Sequence, residues 1–301
     1  MNTMIKPYYL ILLAFTFLWA SCDNGNDDSE TENTFSGCVV SFEQGEDLEI
    51  ATFNLEQFPK ETNTVMHTAN LIKQLNPDII ALQEVTNEGA LKQLTGCQLD
   101  EWKYVISPEP DQSLAPAYLI KMTEIALIEK ATTIWFNETE NDDYYFPRAP
   151  FVIKVSHRRS NQEFLLVNLH LKAMGDSESV GRRRIASDML KEYIDAHYPD
   201  EFVIILGDFN DELNEENTID EVFANFTDDT ENYRFADMPI ATGSREYWSY
   251  PDMPAHIDHI LITDEWFEYV DTTMTIRPDD CFDDYEDYIS DHRPVVVVFD
   301  L

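Results

Sequence analysis

Carboxylate, amide and imidazole side chains stand at the ends of apolar segments in this sequence. The segment FVIILGDFND, residues 202–211, runs through apolar residues into Asp208 and Asn210. Similar segments carry further polar residues at or beside their ends: Asn54, Glu84, Asn168 with His170, Asp258, and Asp291 with His292. Strand ends that point the same way meet at one rim of a sheet, where ligand sites are usually built. We therefore expect these side chains to converge.

These residue types suit the binding of a cation and the transfer of protons. Carboxylate and amide oxygens are the ligands that Mg²⁺ takes in proteins, usually together with several waters. A carboxylate beside a histidine fixes the tautomer of its imidazole ring. Each residue alone has an ordinary structural explanation, because asparagine is common in turns and histidine is usually hydrogen-bonded. Their recurrence at strand ends favours a functional site.

Short apolar segments, rich in β-branched and aromatic residues, recur along the chain. They are EIATFN, DIIALQEV, YLIK, FVIKV, FLLVNLHL, FVIILGDFN, IDHILIT and PVVVVFDL. Several are nearly continuous rather than alternating, which is typical of strands covered on both faces. With no linker or repeat after residue 46, they predict one mixed α/β domain over residues 46–301.

Two intervening segments have helical periodicity. TNTVMHTANLIKQLN places five apolar residues on one face (Val65, Met66, Ala69, Ile72 and Leu75), and Pro77 ends the pattern. GRRRIASDMLKEYIDAHYP does the same with Ile185, Met189 and Ile194, and Pro199 ends it. The pattern predicts helices outside the strands.

From IATFN to SDHRPVVVVF the motifs, and their order, resemble the endonuclease/exonuclease/phosphatase superfamily, which includes deoxyribonuclease I. GDFN together with SDHRP is a specific pair. The resemblance implies an α/β fold of the deoxyribonuclease I type, a four-layer α/β sandwich with two central mixed β-sheets. It also implies a metal-dependent phosphoester hydrolase.

The resemblance assigns roles to the residues at the strand ends. Glu84 and Asn54 would bind the metal, with Asp291 near it, and Mg²⁺ is expected, with Mn²⁺ or Ca²⁺ as alternatives. Asp208 would align and deprotonate the attacking water while Asn210 holds a phosphate oxygen.

The resemblance also assigns roles to two histidines. His292 matches the family's catalytic histidine and Asp258 the carboxylate that orients it. His170 matches the histidine that contacts the phosphate or the leaving group. The sequence departs from the deoxyribonuclease pattern at Ile120, where an acid would orient His170. The hydrogen-bond partner of His170 is therefore open.

Four residues are expected to bind the substrate phosphate: Arg148 in YFPRAPFVIKV, Tyr118 in AYLIK, Lys172 after the NLH motif, and Asn168. Arg148 matches the arginine-containing strand of deoxyribonuclease I, and a guanidinium can contact phosphate oxygens in a bidentate fork. Arg182–Arg184 are interpreted as a partly solvated helix face from which at least one side chain reaches the substrate.

The charge balance bears on the substrate. The chain has 58 Asp and Glu against 20 Lys and Arg, a formal net charge of -38. Such a surface repels polyanions, so nucleic acid would have to be met through local cations. A nuclease-like phosphodiesterase is favoured. The alternatives are a phosphatase or a phospholipid or sugar phosphodiesterase on a small substrate, and an inactive surface binding protein.

The N-terminus carries two targeting features. Residues 1–21 predict a signal peptide, because the apolar run is too short for a membrane-spanning helix. LWASC resembles the lipobox of bacterial lipoproteins, which predicts lipidation at Cys22 and an acidic tether over residues 22–45. We therefore expect an exported monomer, held to a bacterial membrane only by a lipid. The acidic tether resembles the surface-export signal of Bacteroidetes lipoproteins. The pairing of Cys38, Cys97 and Cys281 is left open.

Overall fold

The apolar segments form the strands of two mixed sheets in the computed structural model of the protein, which describes residues 33–43, 45, 47–109, 113–136, 142–213 and 221–301. The strands are β1 (Leu48–Phe58), β2 (Ile79–Val85), β3 (Trp102–Ile106), β4 (Ala115–Lys121), β5 (Ile125–Leu127), β6 (Thr132–Thr133), β7 (Phe151–His157), β8 (Glu163–His170), β9 (Val203–Asp208), β10 (Tyr233–Phe235), β11 (Asp258–Thr263), β12 (Val270–Thr275) and β13 (Val295–Phe299). The first sheet has the order β12-β13-β1-β2-β4-β3 and the second β10-β11-β9-β8-β7-β5, with β6 beside β7. The pairs β1–β2 and β8–β9 are parallel and the others antiparallel.

Helices cover the outer faces of the sheets. They are α1 (Thr64–Leu75), α2 (Glu88–Gln93), α3 (Asp142–Tyr145), α4 (Ser177–His197), α5 (Ala224–Thr227), α6 (Met238–Ala241) and α7 (Tyr285–Tyr288). One hydrophobic cluster fills the space between the sheets; a second lies under α1 and α2, and a third under α4. The predicted four-layer α/β sandwich with two central mixed sheets is confirmed.

The two predicted helices form, but each buries a face that differs from the prediction. In α1, Val65, Ala69, Ile72 and Leu75 are buried, whereas Met66 is exposed. The difference is larger in α4, where Ile185 is exposed. The buried face consists of Ser179, Arg183, Ala186, Ser187, Leu190 and Ile194. The guanidinium of Arg183 takes a core-facing position because it has a buried ion-pair partner, which apolar periodicity cannot detect.

The folded unit begins earlier than predicted. Phe35 and Val39 are buried against the outer face of the first sheet, and a disulfide joins Cys38 to Cys281. Residues 33–43 are therefore packed chain and not a tether, which corrects the predicted boundary at residue 46. The predicted signal peptide and Cys22 lie outside the described residues. Over the part of the chain that is described, no helix combines the length and apolar character needed to span a bilayer.

A glycine brings β8 and β9 close together beside the site. Gly207 has φ +147°, and a Cβ atom at this position would lie 2.0 Å from the carbonyl oxygen of Leu169. No side chain fits such an approach. The glycine of GDFN therefore sets the distance between the strands that carry His170 and Asp208.

Two buried carboxyl groups lie side by side on the first sheet. The backbone N–H of Glu49 donates to Asp78 Oδ2 (3.1 Å), and both side chains are almost fully buried. Burial, together with the hydrogen bond to Asp78 and its charge, raises the pKa of Glu49 to about 9. Glu49 is therefore protonated at neutral pH, because two adjacent buried carboxylates cannot both ionise.

Replacing Glu49 by Gln should stabilise the protein at alkaline pH. The folded-state pKa of Glu49 lies above its unfolded value of 4.5, so the native state retains a proton that the unfolded state releases. The wild type should then lose stability as the pH rises from about 4.5 to 9, while Glu49→Gln lacks this loss. We expect a gain on the order of 1 kcal/mol at pH 8 and little at pH 5, measured by urea unfolding. The exposed Glu163→Gln is the control, and equal pH profiles for Glu49→Gln and wild type would contradict the interpretation.

Candidate active site

The strands that carry the predicted site residues change from apolar to polar along their inner faces. Side chains alternate between the two faces of a strand, so every second residue faces the other sheet. In β9 the inner residues are Ile204, Leu206 and then Asp208; in β11, Asp258 precedes Ile260. The same alternation in β1 and β8 ends in Asn54 and His170. The apolar inter-sheet core therefore gives way to a polar rim.

The two sheets are joined at this rim by a hydrogen bond from Asn54 to Asp208. The Nδ2 of Asn54 in β1 donates to Oδ2 of Asp208 in β9 at 2.9 Å, and also reaches Oε1 of Glu84 at 3.5 Å. The Oδ1 of Asn54 accepts from the backbone N–H of Glu56 (2.9 Å). In this arrangement the amide nitrogen of Asn54, and not the oxygen predicted to bind metal, faces the two carboxylates.

Glu84 is turned into the rim by an irregularity in the sheet. Its φ is 63°, a left-handed conformation, and the register of β2 shifts on both sides between Leu82 and Val85. Such bulges re-aim side chains. Glu84 Oε2 accepts from the backbone N–H of Gln57 (3.1 Å), and Oε1 lies 3.7 Å from His170 Nε2.

Asp208 is an almost fully buried carboxylate of the rim. It is 2% exposed, and the backbone N–H of Asn210, which is left-handed with φ 55°, donates to its Oδ1 at 2.9 Å. Burial raises the pKa of Asp208 to about 7, despite the opposing charge of His292 and the hydrogen bond from Asn54. A carboxylate with such a pKa can exchange a proton near neutral pH.

His292 is held as a cation by Asp258. Its Nδ1 donates to Asp258 Oδ2 at 2.8 Å, and its Nε2 lies 4.0 Å from Asp208 Oδ2 and 3.9 Å from Asp291 Oδ1. Burial alone would lower the pKa of His292, but the charge and hydrogen bond of Asp258, with the charges of Asp208 and Asp291, raise it to about 10. The ring of Tyr250 packs on the imidazole, 4.9 Å between centroids.

His170 has very different surroundings. Its Nε2 lies 2.9 Å from Nη2 of Arg148 and 3.6 Å from Asp208 Oδ2, whereas its buried Nδ1 has no hydrogen-bond partner among the described residues. Burial and the charge of Arg148 lower the pKa of His170 well below its ordinary value. The open question about its partner is thus answered by Arg148 rather than by an acid.

Asp291 reaches the same rim from the loop before β13. Its backbone N–H donates to Glu56 Oε2 (3.0 Å), and the hydroxyl of Ser290 donates to the backbone oxygen of Asn54 (2.6 Å). Its Oδ1 is buried without a hydrogen-bond partner within the described residues. Burial raises the pKa of Asp291 to about 6.

Two residues predicted to bind phosphate are instead buried between the sheets, which corrects the prediction. The hydroxyl of Tyr118 donates to the backbone oxygen of Phe151 (2.9 Å). Asn168 donates to the backbone oxygens of Leu82 and Ala117 and accepts from Gln83. Both side chains are fully buried, so neither can contact substrate. They link one sheet to the other behind the rim.

The remaining predicted cations differ in their availability. The Nζ of Lys172 donates to the backbone oxygen of Ala173 (2.9 Å) and is half-buried. Arg183 is buried, pairs with Asp211 at 2.7–2.8 Å, and donates to the backbone oxygens of Lys172 and Met174. Arg183 therefore fixes the two loops that follow β8 and β9. Of Arg182, Arg183 and Arg184, which were predicted to form a partly solvated helix face, Arg183 is buried.

A buried network that the sequence analysis did not detect supports the loop after Asp208. The carboxylate of Asp237 lies 2.6 Å from His259 Nδ1 and 3.0 Å from His256 Nε2. The other nitrogen of His259 donates to the backbone oxygen of Asp211 (2.9 Å). Both ring nitrogens of His259 thus face acceptors, which requires an imidazolium. The one sign of this network in the sequence is a histidine, His259, directly after the predicted site residue Asp258.

Replacing His259 by Gln should destabilise the protein most at acidic to neutral pH. Burial alone lowers the pKa of His259, but the charge of Asp237 outweighs it and raises the pKa. The stabilisation is therefore complete below about pH 6.5 and is lost as the pH rises through the folded-state pKa. We expect a loss of about 3–5 kcal/mol at pH 6, and less at pH 9, in denaturant unfolding. The exposed His197→Gln should have little effect, and a pH-independent loss in His259→Gln would refute the ion pair.

The carboxylates of the rim fit a hard divalent cation. Asn54 hydrogen-bonds to both Glu84 and Asp208. Asp291, which shares the neighbour His292 with Asp208, retains a buried oxygen without a partner in the described chain. Burial disfavours the charged forms of Asp208 and Asp291, and a cation would offset this. Asp208, Asp258 and His292 also bring ligand atoms within 4.8 Å of one another. Asp258 and His292 are already hydrogen-bonded to each other.

The comparisons with known proteins agree with this fold. The chain is similar to the catalytic domain of human nocturnin with bound sulfate (18% identity, TM-score 0.64, covering 88% of this chain and 97% of that one). It is similar to D. rerio TDP2 complexed with a single strand DNA product (14%, 0.63, 85% and 100%). It is also similar to an endonuclease/exonuclease/phosphatase from Bacteroides vulgatus (17%, 0.63, 85% and 99%).

Identities this low establish the fold alone. No match to a curated protein was found. The model of the endonuclease/exonuclease/phosphatase family matches residues 51–292, a span that includes the rim residues from Asn54 to His292. The chain belongs to the endonuclease/exonuclease/phosphatase family, whose members hydrolyse phosphoester bonds.

Proposed function

We propose that the protein hydrolyses a phosphodiester with the help of a divalent cation, preferably Mg²⁺. One observation carries the proposal. A buried carboxylate with a pKa near neutrality, a cationic imidazole and a guanidinium meet at one rim, in Asp208, His292 and Arg148. Phosphoester hydrolysis needs a proton acceptor for water and positive charge around the phosphate.

The proposed mechanism assigns the water to Asp208. Its Oδ1 is fixed by the backbone N–H of Asn210 and its Oδ2 by Asn54, so the carboxylate is held in one orientation. It would align the water and accept its proton as the oxygen attacks phosphorus. Asn210, on the left-handed turn beside it, would hold a phosphate oxygen if its amide nitrogen, which donates to the backbone oxygen of Leu171 (3.2 Å), turned towards the substrate.

His292 would supply positive charge and a proton on the other side of the phosphate. Because Asp258 engages its Nδ1, the Nε2–H is free to donate to a phosphate or leaving-group oxygen. Arg148 and Lys172 are proposed to contact the remaining phosphate oxygens.

Glu84 and Asp291 would hold the cation, joined by Asn54 if its amide oxygen turns towards them. A bound divalent cation would stabilise the negative charge that develops on the phosphate and the leaving group. The residues that surround it keep their own tasks of orienting water, binding oxygens and donating a proton. Mn²⁺ or Ca²⁺ could replace Mg²⁺ at oxygen ligands.

A nucleic acid is the substrate we favour, in short or single-stranded form. The DNA product named for D. rerio TDP2 supports this class, and Arg148 and Lys172 supply local positive charge. The net charge of -38 opposes binding of long DNA and favours, as the alternative, a small phosphoester such as a nucleotide, sugar or lipid phosphate. We further propose that the protein is exported and anchored through a lipid at Cys22, as its N-terminal sequence suggests.

Activity should depend on the metal and on Asp208. We expect the purified protein to cleave single-stranded DNA, RNA or bis(p-nitrophenyl) phosphate with Mg²⁺ and to lose this activity in EDTA. Asp208→Asn should lower kcat by about 10²–10⁴-fold, because the amide cannot accept the proton. The exposed Asp188→Asn on α4 is the matched control.

The substrate panel separates the alternatives. If the protein cleaved p-nitrophenyl phosphate but no diester, its activity would be that of a phosphatase and not of a phosphodiesterase. Full activity of Asp208→Asn would contradict the proposed role of Asp208 as the proton acceptor. If the folded, metal-bound protein cleaved none of the substrates, the proposed reaction would be wrong and a binding role would take its place.

A further inference from the structure

The two histidines at the rim, His170 and His292, have different hydrogen-bond partners. Asp258 accepts a hydrogen bond from Nδ1 of His292, whereas no carboxylate among the described residues does the same for His170. Ile120, buried in the core between the sheets, stands in the sequence where an acid would otherwise support it. The Nδ1 of His170 is buried and has no hydrogen-bond partner within the described chain.

The contact with Arg148 fixes which nitrogen of His170 carries the proton. A guanidinium has only N–H donors and stays protonated in proteins. Its Nη2 lies 2.9 Å from His170 Nε2, so this nitrogen must be the acceptor, because two donors cannot face each other. The single ring proton is therefore on Nδ1. In this tautomer His170 has no proton on the nitrogen that faces the rim.

Arg148 is held in place by this contact. It precedes β7. Burial lowers the pKa of Arg148 from its ordinary value, and the charges of nearby Asp208 and Glu84 oppose this shift. Its Nε is buried and has no partner among the described residues. The guanidinium thus retains an unused donor while His170 fixes one of its terminal nitrogens.

We propose that His170 is a positioning residue, which holds Arg148 for a phosphate oxygen of the substrate and does not protonate the leaving group. The inference rests on the proposed function, because it describes how the same site binds phosphate. Proton donation is then left to His292. The chain uses one histidine for proton transfer and one as a neutral support for an arginine.

Leaving-group chemistry tests the proposal. An enzyme that lacks its proton donor should be impaired most on a poor leaving group. We compare thymidine p-nitrophenyl phosphate, whose nitrophenolate leaves without a proton, with a dinucleotide, whose alkoxide needs one. His170→Ala should lower kcat/KM by the same factor on both substrates, about 10²-fold. His292→Ala should lower kcat/KM more on the dinucleotide than on the nitrophenyl ester.

Two further variants separate positioning from a general loss of structure. His170→Gln offers an amide oxygen to Arg148 and should recover most of the activity, to within about tenfold of wild type. The double variant His170→Ala/Arg148→Ala should lose no more than Arg148→Ala alone, because the two residues act through one contact. Additive losses, or a His170→Ala defect confined to the dinucleotide, would overturn the proposal.

Binding of inorganic phosphate distinguishes this inference from the proposed function. With Mg²⁺ present, calorimetry should show affinity reduced about tenfold and equally in His170→Ala and Arg148→Ala, and restored in His170→Gln. His197→Gln is the control. If the variants show these phosphate affinities but no ester is cleaved, the positioning role is supported and the proposed hydrolysis is wrong. If hydrolysis occurs but the affinity for phosphate is unchanged in His170→Ala, the positioning role is wrong.

Discussion

The hydrogen bond from Asn54 to Asp208 is the contact on which the site depends. It crosses the gap between two sheets whose inner faces are largely apolar. Sheets that pack face to face are held about 10 Å apart by their core side chains. Near the rim, Tyr118, Gln83 and Asn168 span this gap with buried hydrogen bonds, so that the sheets cannot slide past one another. Losing one of these hydrogen bonds would leave its partner buried and unpaired, which favours this one arrangement of the sheets.

The surroundings of each ionisable group decide its task. Two histidines lie within a few ångströms of the same carboxylate, Asp208. His292 is hydrogen-bonded to Asp258 and becomes a cation. His170 has a buried Nδ1 without a partner in the described chain and an arginine at Nε2, and stays neutral. Asp208 keeps a pKa near neutrality because burial opposes its charge more strongly than its hydrogen bonds favour it. The loop beyond it is fixed through the backbone of Asp211 by His259 and through its side chain by Arg183.

Much of this could be predicted from the sequence, and the exceptions have physical causes. The eight apolar segments correspond to the eight interior strands. The strands that were missed, β3, β5, β6, β10 and β12, are at sheet edges or short, where half-buried positions do not produce a continuous apolar run. The convergence at the rim followed from strand ends alone. The burial of Tyr118 and Asn168 did not, because the sequence does not reveal which face of a strand, or which point along it, is covered. The partners of Arg183 and His170 come from distant segments and required the fold.

The central claim is that the rim holds a divalent cation, and a Mn²⁺ titration followed by electron paramagnetic resonance tests it most directly. Wild type and the exposed control Glu163→Gln should bind one ion with the same affinity. Glu84→Gln should bind it at least about tenfold more weakly, because a carboxylate ligand is lost while the fold is kept. Equal affinity in Glu84→Gln and wild type, or no bound ion in either, would contradict the account.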